Sequence, residues 1–239
     1  MGDDMITDVH THILYDIDDG ARDIAESLKL IKMEIDNGVG TIVLTPHFDP
    51  YSDSVDIFTK KRQERYNNLL KHICDENITL ILGSETLYSS LLIYYSTLTP
   101  LCISGTRYLL IEFSINMKFD KEFFAELEKL ILKFDIIPIL AHAERYIYLK
   151  KHISLIQKFK QLGCIVQINA NYILHNSEKK FVKQLFKYDY IDMIASDCHD
   201  SEIRPPNLKE AISLVDVKYD GYYSKILLGK YKIGTNLQE

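Results

Sequence analysis

Seven short apolar runs, separated by stretches with helical periodicity, constrain the fold of this chain more than any other feature. They lie at Met5–Val9, Thr41–Thr45, Thr79–Leu82, Tyr108–Phe113, Ile136–Ala141, Cys164–Ile168 and Ile191–Ala195. Runs that are apolar throughout fit strands buried on both faces, which is the environment of a parallel sheet covered by helices. The stretches between them supply the helices. Asp23–Asn37 carries Ile24, Leu28, Ile31 and Ile35 at helical spacing and stops at Gly38. Val55–Asp75 repeats the pattern with Tyr66, Leu69, Leu70 and Ile73. Further helices are expected at Asp120–Phe134, His152–Leu162, Glu178–Tyr188 and Asn207–Val215, with Asp120 and Ser177 as N-caps and Gly163 as a C-terminal stop. Strands alternating with helices predict a parallel α/β fold, and seven β/α units closed into a barrel accommodate the count. A doubly wound open sheet is the alternative, but no Gly-x-Gly-x-x-Gly follows the first run.

The 239 residues contain no linker rich in Pro, Gly or Ser and no repeat, so residues 1–239 read as one domain. Met5 is a second candidate start, which would make Met1–Asp4 an extension. No apolar run is long enough to span a bilayer, and no basic flank leads into a signal-like segment. A net charge of −6 argues against a nucleic-acid partner, which needs basic surface. An anionic substrate would have to be drawn by local charge. Cys74, Cys102, Cys164 and Cys198 are scattered with no Cys-x-x-Cys, which predicts free thiols and a cytoplasmic setting.

Chemistry in barrels of this kind stands at the carboxyl ends of the strands. The first run ends in His10-Thr11-His12, whose two imidazoles point the same way in an extended segment. The next ends are Thr45-Pro46-His47, Gly83-Ser84-Glu85, Ile111-Glu112-Phe113, Ala141-His142-Ala143-Glu144-Arg145, Gln167-Ile168-Asn169 and Ser196-Asp197-Cys198-His199. Five of the eight histidines fall at these ends. Any one of them alone would be read as a solvated polar group, whereas the set points to a metal centre. Nitrogen and carboxylate ligands without thiolates suit zinc, manganese or iron. Five histidines with Glu85, Glu112 and Asp197 exceed the need of one ion, so two or three divalent ions are expected. Paired ions activate water for displacement at phosphorus or at an amide. Arg145 and Arg204, close to His142 and His199, tip the choice toward a phosphoester, since a guanidinium recognises phosphate in bidentate fashion. Arg22 is a weaker candidate.

The segments Asp8-Val-His-Thr-His12, Asp18-Asp-Gly-Ala21, Thr45-Pro-His47, Gly83-Ser-Glu85, Ala141-His-Ala-Glu-Arg-Tyr146, Gln167-Ile-Asn-Ala170 and Ser196-Asp-Cys-His199 together resemble the PHP (polymerase and histidinol phosphatase) superfamily. Within it the chain is similar to the bacterial manganese-dependent protein-tyrosine phosphatases of capsule and exopolysaccharide operons. The likeness runs from Met5 to about Leu228. It implies a distorted seven-stranded barrel with a trinuclear site. The implied ligands are His10, His12, His47, Glu85, Glu112, His142, Asp197 and His199, with Asp19 beside the third ion and Arg145 and Arg204 on the phosphate. The implied substrate is a phosphotyrosine in the tail of a bacterial tyrosine autokinase, and the implied metal is manganese, with iron or zinc as alternatives. Ala143, Cys198 and Asp200 stand where that family usually has Pro, Ala and Asn, and none of these removes a ligand.

Three rival readings stay in view. A histidinol-phosphate phosphatase would use the same centre. A non-catalytic, metal-bound module for a kinase would keep the metals without turnover. Cys198 to Arg204 has the Cys-x5-Arg spacing of thiolate-dependent tyrosine phosphatases, but His199, Asp200 and Glu202 replace the glycines of a phosphate cradle, so this reading is rejected. Cys198 should face away from the two groups that flank it.

Overall fold

The computed structural model describes residues 6–73 and 78–219. Met5 and Cys74, and the extension Met1–Asp4, lie outside the described residues. The element order is β1 (Ile6–Thr11), α1 (Ile24–Asp36), β2 (Val39–Leu44), β3 (His47–Phe48), α2 (Val55–Leu70), β4 (Thr79–Leu82), β5 (Glu85–Leu87), β6 (Tyr108–Glu112), α3 (Lys121–Phe134), β7 (Ile137–Leu140), α4 (Ile147–Lys151), α5 (Leu155–Gln161), β8 (Ile165–Asn169), α6 (Ala170–Asn176), α7 (Lys180–Lys187), β9 (Met193–Ala195) and α8 (Leu208–Lys218). Every strand pairing is parallel, in the orders β1-β2-β4 and β3-β5-β6-β7-β8-β9.

Among the described residues, nine strand segments therefore stand where seven runs were expected. The second and third runs are each broken, at Thr45-Pro46 and at Gly83-Ser84. Pro46 brings no N–H to the ladder. A Cβ on Gly83 would sit 3.2 Å from side-chain atoms of both Thr45 and Val43, so the two breaks lie side by side. The backbone crosses them through Gly83 N–H to Leu44 O at 2.8 Å and Glu85 N–H to Pro46 O at 3.1 Å. At its other edge β1 meets the segment after β9. His12 N–H donates to Cys198 O at 2.8 Å, and Asp197 N–H donates to His10 O at 2.9 Å. These crossings place the ends of β1, β3, β5 and β9 around one point.

One buried cluster gathers Val9, Val43, Ile81, Leu110, Ile139, Ile165 and Met193, one side chain each from β1, β2, β4, β6, β7, β8 and β9. Two larger clusters lie between strands and helices. Continuous apolar strands follow from having both faces covered. Helix starts obey capping chemistry: Asp23 accepts from Glu26 N–H and Asp120 from Phe123 N–H. Gly38 and Gly163 hold φ +81°, the left-handed geometry that ends helices. Ser177 is not an N-cap. It closes α6, a helix the periodicity did not separate, and Lys179 precedes α7. The single helix expected over His152–Leu162 begins as α5 at Leu155, behind a separate short α4. No helix among the described residues is long and apolar enough to cross a membrane.

Candidate metal centre

His10 and His12 leave β1 fully buried, with their Nε2 atoms 3.2 Å apart. Two ring nitrogens facing at this distance need something positive between them, a proton or a metal ion. Glu85, the first residue of β5, puts Oε2 3.1 Å from each of these Nε2 atoms. Asp197, after β9, puts Oδ1 3.4 Å from His10 and 3.5 Å from His12. These four ligand atoms lie within 4.8 Å of one another. His12, Asp19, His47 and His199 form a second such group, and His47, Glu85 and Glu112 a third. The groups share His12, His47 and Glu85, so they form one continuous centre. His142 adjoins it, with Nε2 2.7 Å from Glu85 Oε1 and 3.3 Å from Glu112 Oε1. All eight residues expected as ligands, and Asp19, are thus brought together.

Asp197 tests whether a cation fits. Its Oδ2 accepts from Asn169 Nδ2 at 2.6 Å, from Arg204 Nη2 at 2.9 Å and from Arg145 Nη2. Its Oδ1, buried beside the histidines, has no hydrogen-bond partner. A buried carboxylate oxygen left bare by three donors on its twin has a lone pair to offer. Neutral imidazole nitrogens and carboxylate oxygens without sulfur are the donor set of manganese, iron or zinc. The residues fit a divalent ion.

The surrounding groups aim these donors. Asp18 Oδ2 accepts from His12 Nδ1 at 2.7 Å and from His47 N–H at 2.9 Å, while its Oδ1 accepts from Gly20 N–H at 3.0 Å. With Nδ1 bonded to Asp18, His12 presents Nε2 inward. Burial alone would lower the His12 pKa, but the charges and hydrogen bonds of Asp18 and Glu85 together outweigh it and hold the ring well above its ordinary value. Burial likewise opposes a charged His142, yet hydrogen bonds to Glu112 and Glu85 carry it up to about 9. Burial and the neighbouring His12 charge push His199 down to about 3. Asp197 lies below the usual carboxylate range because the His10, His12 and Arg145 charges outweigh its burial.

A relay of two amides lies behind the centre. Gln167 Oε1 accepts from His142 N–H at 2.7 Å and faces His10 Nδ1 at 3.3 Å. Gln167 Nε2 donates to Asn169 Oδ1 at 2.8 Å, and Asn169 passes the chain on to Asp197. The sequence marks the Asp18-Asp19-Gly20 loop as closing one side of the centre without assigning Asp18 these hydrogen bonds, and it assigns Gln167 and Asn169 no role, although the two share a strand face two positions apart. Arg22 is not recruited; its side chain is 84% exposed and pairs with Asp23.

Cys198 faces away from the centre, as alternation predicts. It is 1% exposed and its Sγ lies 3.8 Å from Glu34 Oε1. Burial and the nearby Glu34 and Asp8 charges push its thiol well above the ordinary range, which removes the thiolate a Cys-x5-Arg mechanism needs. Cys102 and Cys164 are also free and buried.

Known proteins resemble this chain over most of its length. Tyrosine-protein phosphatase CpsB of Streptococcus agalactiae is 30% identical over 222 residues, covering 87% of this chain and 88% of its own. Tyrosine-protein phosphatase CpsB of Streptococcus pneumoniae is 30% identical over 243 residues, covering 92% and 93%. A solved structure from work on YwqE of Bacillus subtilis and CpsB of Streptococcus pneumoniae, described as metal-dependent tyrosine phosphatases, superposes with TM-score 0.77 at 24% identity over 91% of this chain and 90% of that one. The family model for capsular polysaccharide synthesis, CpsB/CapC, matches residues 6–232, and the chain belongs to that family.

Proposed function

We propose that this chain is a metal-dependent protein-tyrosine phosphatase that hydrolyses phosphotyrosine in the tail of a bacterial tyrosine kinase during capsular or extracellular polysaccharide synthesis. The observation that carries the reading is the convergence of His10, His12, Glu85 and Asp197 on one point, with Arg145 and Arg204 both hydrogen-bonded to Asp197. The relatives named tyrosine-protein phosphatases over most of both chains support the substrate. We read the whole chain as one domain, its strands closed as a distorted barrel of seven β/α units, working in the cytoplasm.

His10, His12, His47, Glu85, Glu112, His142, Asp197 and His199 would hold two or three divalent ions, manganese first among them, with Asp19 beside His47 and His199. Bound ions of this kind supply an acidified water and neutralise charge on a phosphoryl group. The chain's own residues do the rest. Arg145 and Arg204 bind the equatorial oxygens and orient phosphorus for in-line attack. Glu85 spans both sides of the centre, one oxygen toward His142 and the other toward His10, His12 and His47. Asp18 and the Gln167–Asn169 relay fix which nitrogen and oxygen each donor presents.

The test is hydrolysis of a phosphotyrosine peptide and of histidinol phosphate by the same preparation, with added manganese and after chelation, beside elemental analysis. Peptide hydrolysis that disappears on chelation is expected. Full activity after chelation, or a clear preference for histidinol phosphate, overturns the reading.

A further inference from the structure

Apolar side chains left in water tend to mark contact surfaces when they gather around a site rather than scatter. Three exposed isoleucines stand within a few residues of members of the candidate centre. Ile115 is 51% exposed and lies three residues beyond Glu112; Ile147 is 42% exposed and lies two beyond Arg145; Ile203 is 84% exposed and immediately precedes Arg204. Ile115 and Ile203 stand on the loops that follow β6 and β9, and Ile147 opens α4, after β7. A backbone hydrogen bond, Ile147 N–H to Ile115 O at 3.3 Å, ties the start of α4 to the loop after β6. Within its own loop Ile203 is held by Asp200, whose Oδ1 accepts from Ile203 N–H at 2.5 Å. The guanidiniums of Arg145 and Arg204 meet on one oxygen of Asp197, which brings the segments that carry Ile147 and Ile203 to the same carboxylate.

A small phosphate has no use for such a rim, because its charged end fills the arginines and little else remains to touch. A phosphotyrosine within a polypeptide brings the side chains of its neighbours to the same rim. We infer that Ile115, Ile147 and Ile203 form a docking rim for apolar side chains adjacent to the phosphotyrosine of a polypeptide substrate. The inference rests on the phosphotyrosine reading above and adds the flanking chemistry to it. Burying one aliphatic side chain on such a rim changes affinity by about tenfold.

The experiment uses the full chain loaded with manganese. Two phosphotyrosyl peptides are compared, one with leucine and one with glycine on either side of the phosphotyrosine, together with p-nitrophenyl phosphate. Non-hydrolysable phosphonate versions of both peptides give Kd separately from turnover. The unaltered chain is expected to bind the leucine-flanked phosphonate about tenfold tighter than the glycine-flanked one. The double variant Ile147→Ser, Ile203→Ser removes that difference through Kd and KM, leaving kcat and the hydrolysis of p-nitrophenyl phosphate unchanged. Leu132→Ser, on the exposed face of α3, leaves the difference in place. Equal binding of the two peptides by the unaltered chain overturns the inference alone, and so does an equal loss in the Leu132 variant. Hydrolysis of p-nitrophenyl phosphate with neither peptide touched overturns the phosphotyrosine reading and the inference with it. If the double variant does not fold, the two-peptide comparison in the unaltered chain decides.

Discussion

Individual residues behind the ligands set how well the centre holds a metal. Asn169→Ala removes a donor from Asp197 and leaves Gln167 Nε2 without its acceptor. Loss of such an outer partner weakens metal affinity by about 10- to 100-fold. Calorimetric titration with manganese measures it, while the fold should survive. Asp8 and Glu34 form a second residue-level feature. Both are fully buried, and Asp8 also accepts from the N–H groups of His10 and Ser196. Burial raises both carboxyls, Glu34 well above its ordinary value, and the charge of Asp8 adds to the shift at Glu34. A carboxyl raised on folding stabilises the chain fully below its unfolded value, near 4.5, and loses that contribution as pH rises through the folded value. Glu34→Gln keeps a donor for Asp8 and does not titrate. Its Tm should match that of the unaltered chain near pH 5 and exceed it by several degrees near pH 8, at about 2–4 °C per kcal/mol. A Tm difference that does not grow with pH contradicts a raised Glu34 carboxyl. The set of candidate ligands that the fold brings together was legible in the sequence because His, Asp and Glu recur at successive strand ends. Glu34 was not, because its partner lies across the helix–strand interface and no local spacing reports it.

Secondary-structure elements deliver those residues, and the loop after β1 is the most constrained of them. It folds back so that Ala21 N–H reaches His12 O at 3.0 Å. A Cβ on Gly20 would stand 2.1 Å from His12 O and 2.5 Å from His12 Cβ. Gly20→Ala therefore has to displace the backbone of His12. We expect a loss of about 1–3 kcal/mol in unfolding free energy, as for other overpacked sites. Manganese affinity should fall further than Asn169→Ala reduces it, read by denaturant unfolding and titration on one preparation. Most elements were visible as apolar runs and caps. The breaks at Pro46 and Gly83 were not, although proline and glycine signalled them, because hydrophobicity continues across both interruptions. The α6 helix was missed for a related reason: Ala170–Asn176 follows β8 without a turn or a side-chain cap to mark its start.

Across the whole molecule, the centre ties together loops from strands far apart in sequence, so a bound metal should act as a tertiary crosslink. Chelation is expected to lower Tm and excess manganese to restore it. At about 100 times Kd the stabilisation is about 2.7 kcal/mol. Calorimetric scans with and without chelator measure it, and an unchanged Tm contradicts a structural share for the metal. The architecture was legible as an alternation of strands and helices, and its enclosed cluster draws on seven of the segments. What alternation alone does not contain is how the two sheets meet, since that depends on single hydrogen bonds across the breaks. The charge balance of the chain, −6 in all, gives the arginine pair one more significance. Arg145 and Arg204 already clasp an internal anion, Asp197. On the proposed reading, an incoming phosphate would trade places with a resident carboxylate instead of entering a bare positive hole. Departure of the product would be the same trade in reverse, with Asp197 reclaiming its arginines. Such a chain would carry its own eluent, which is how a net-negative phosphatase could grip a dianion long enough to cut it and still let it go.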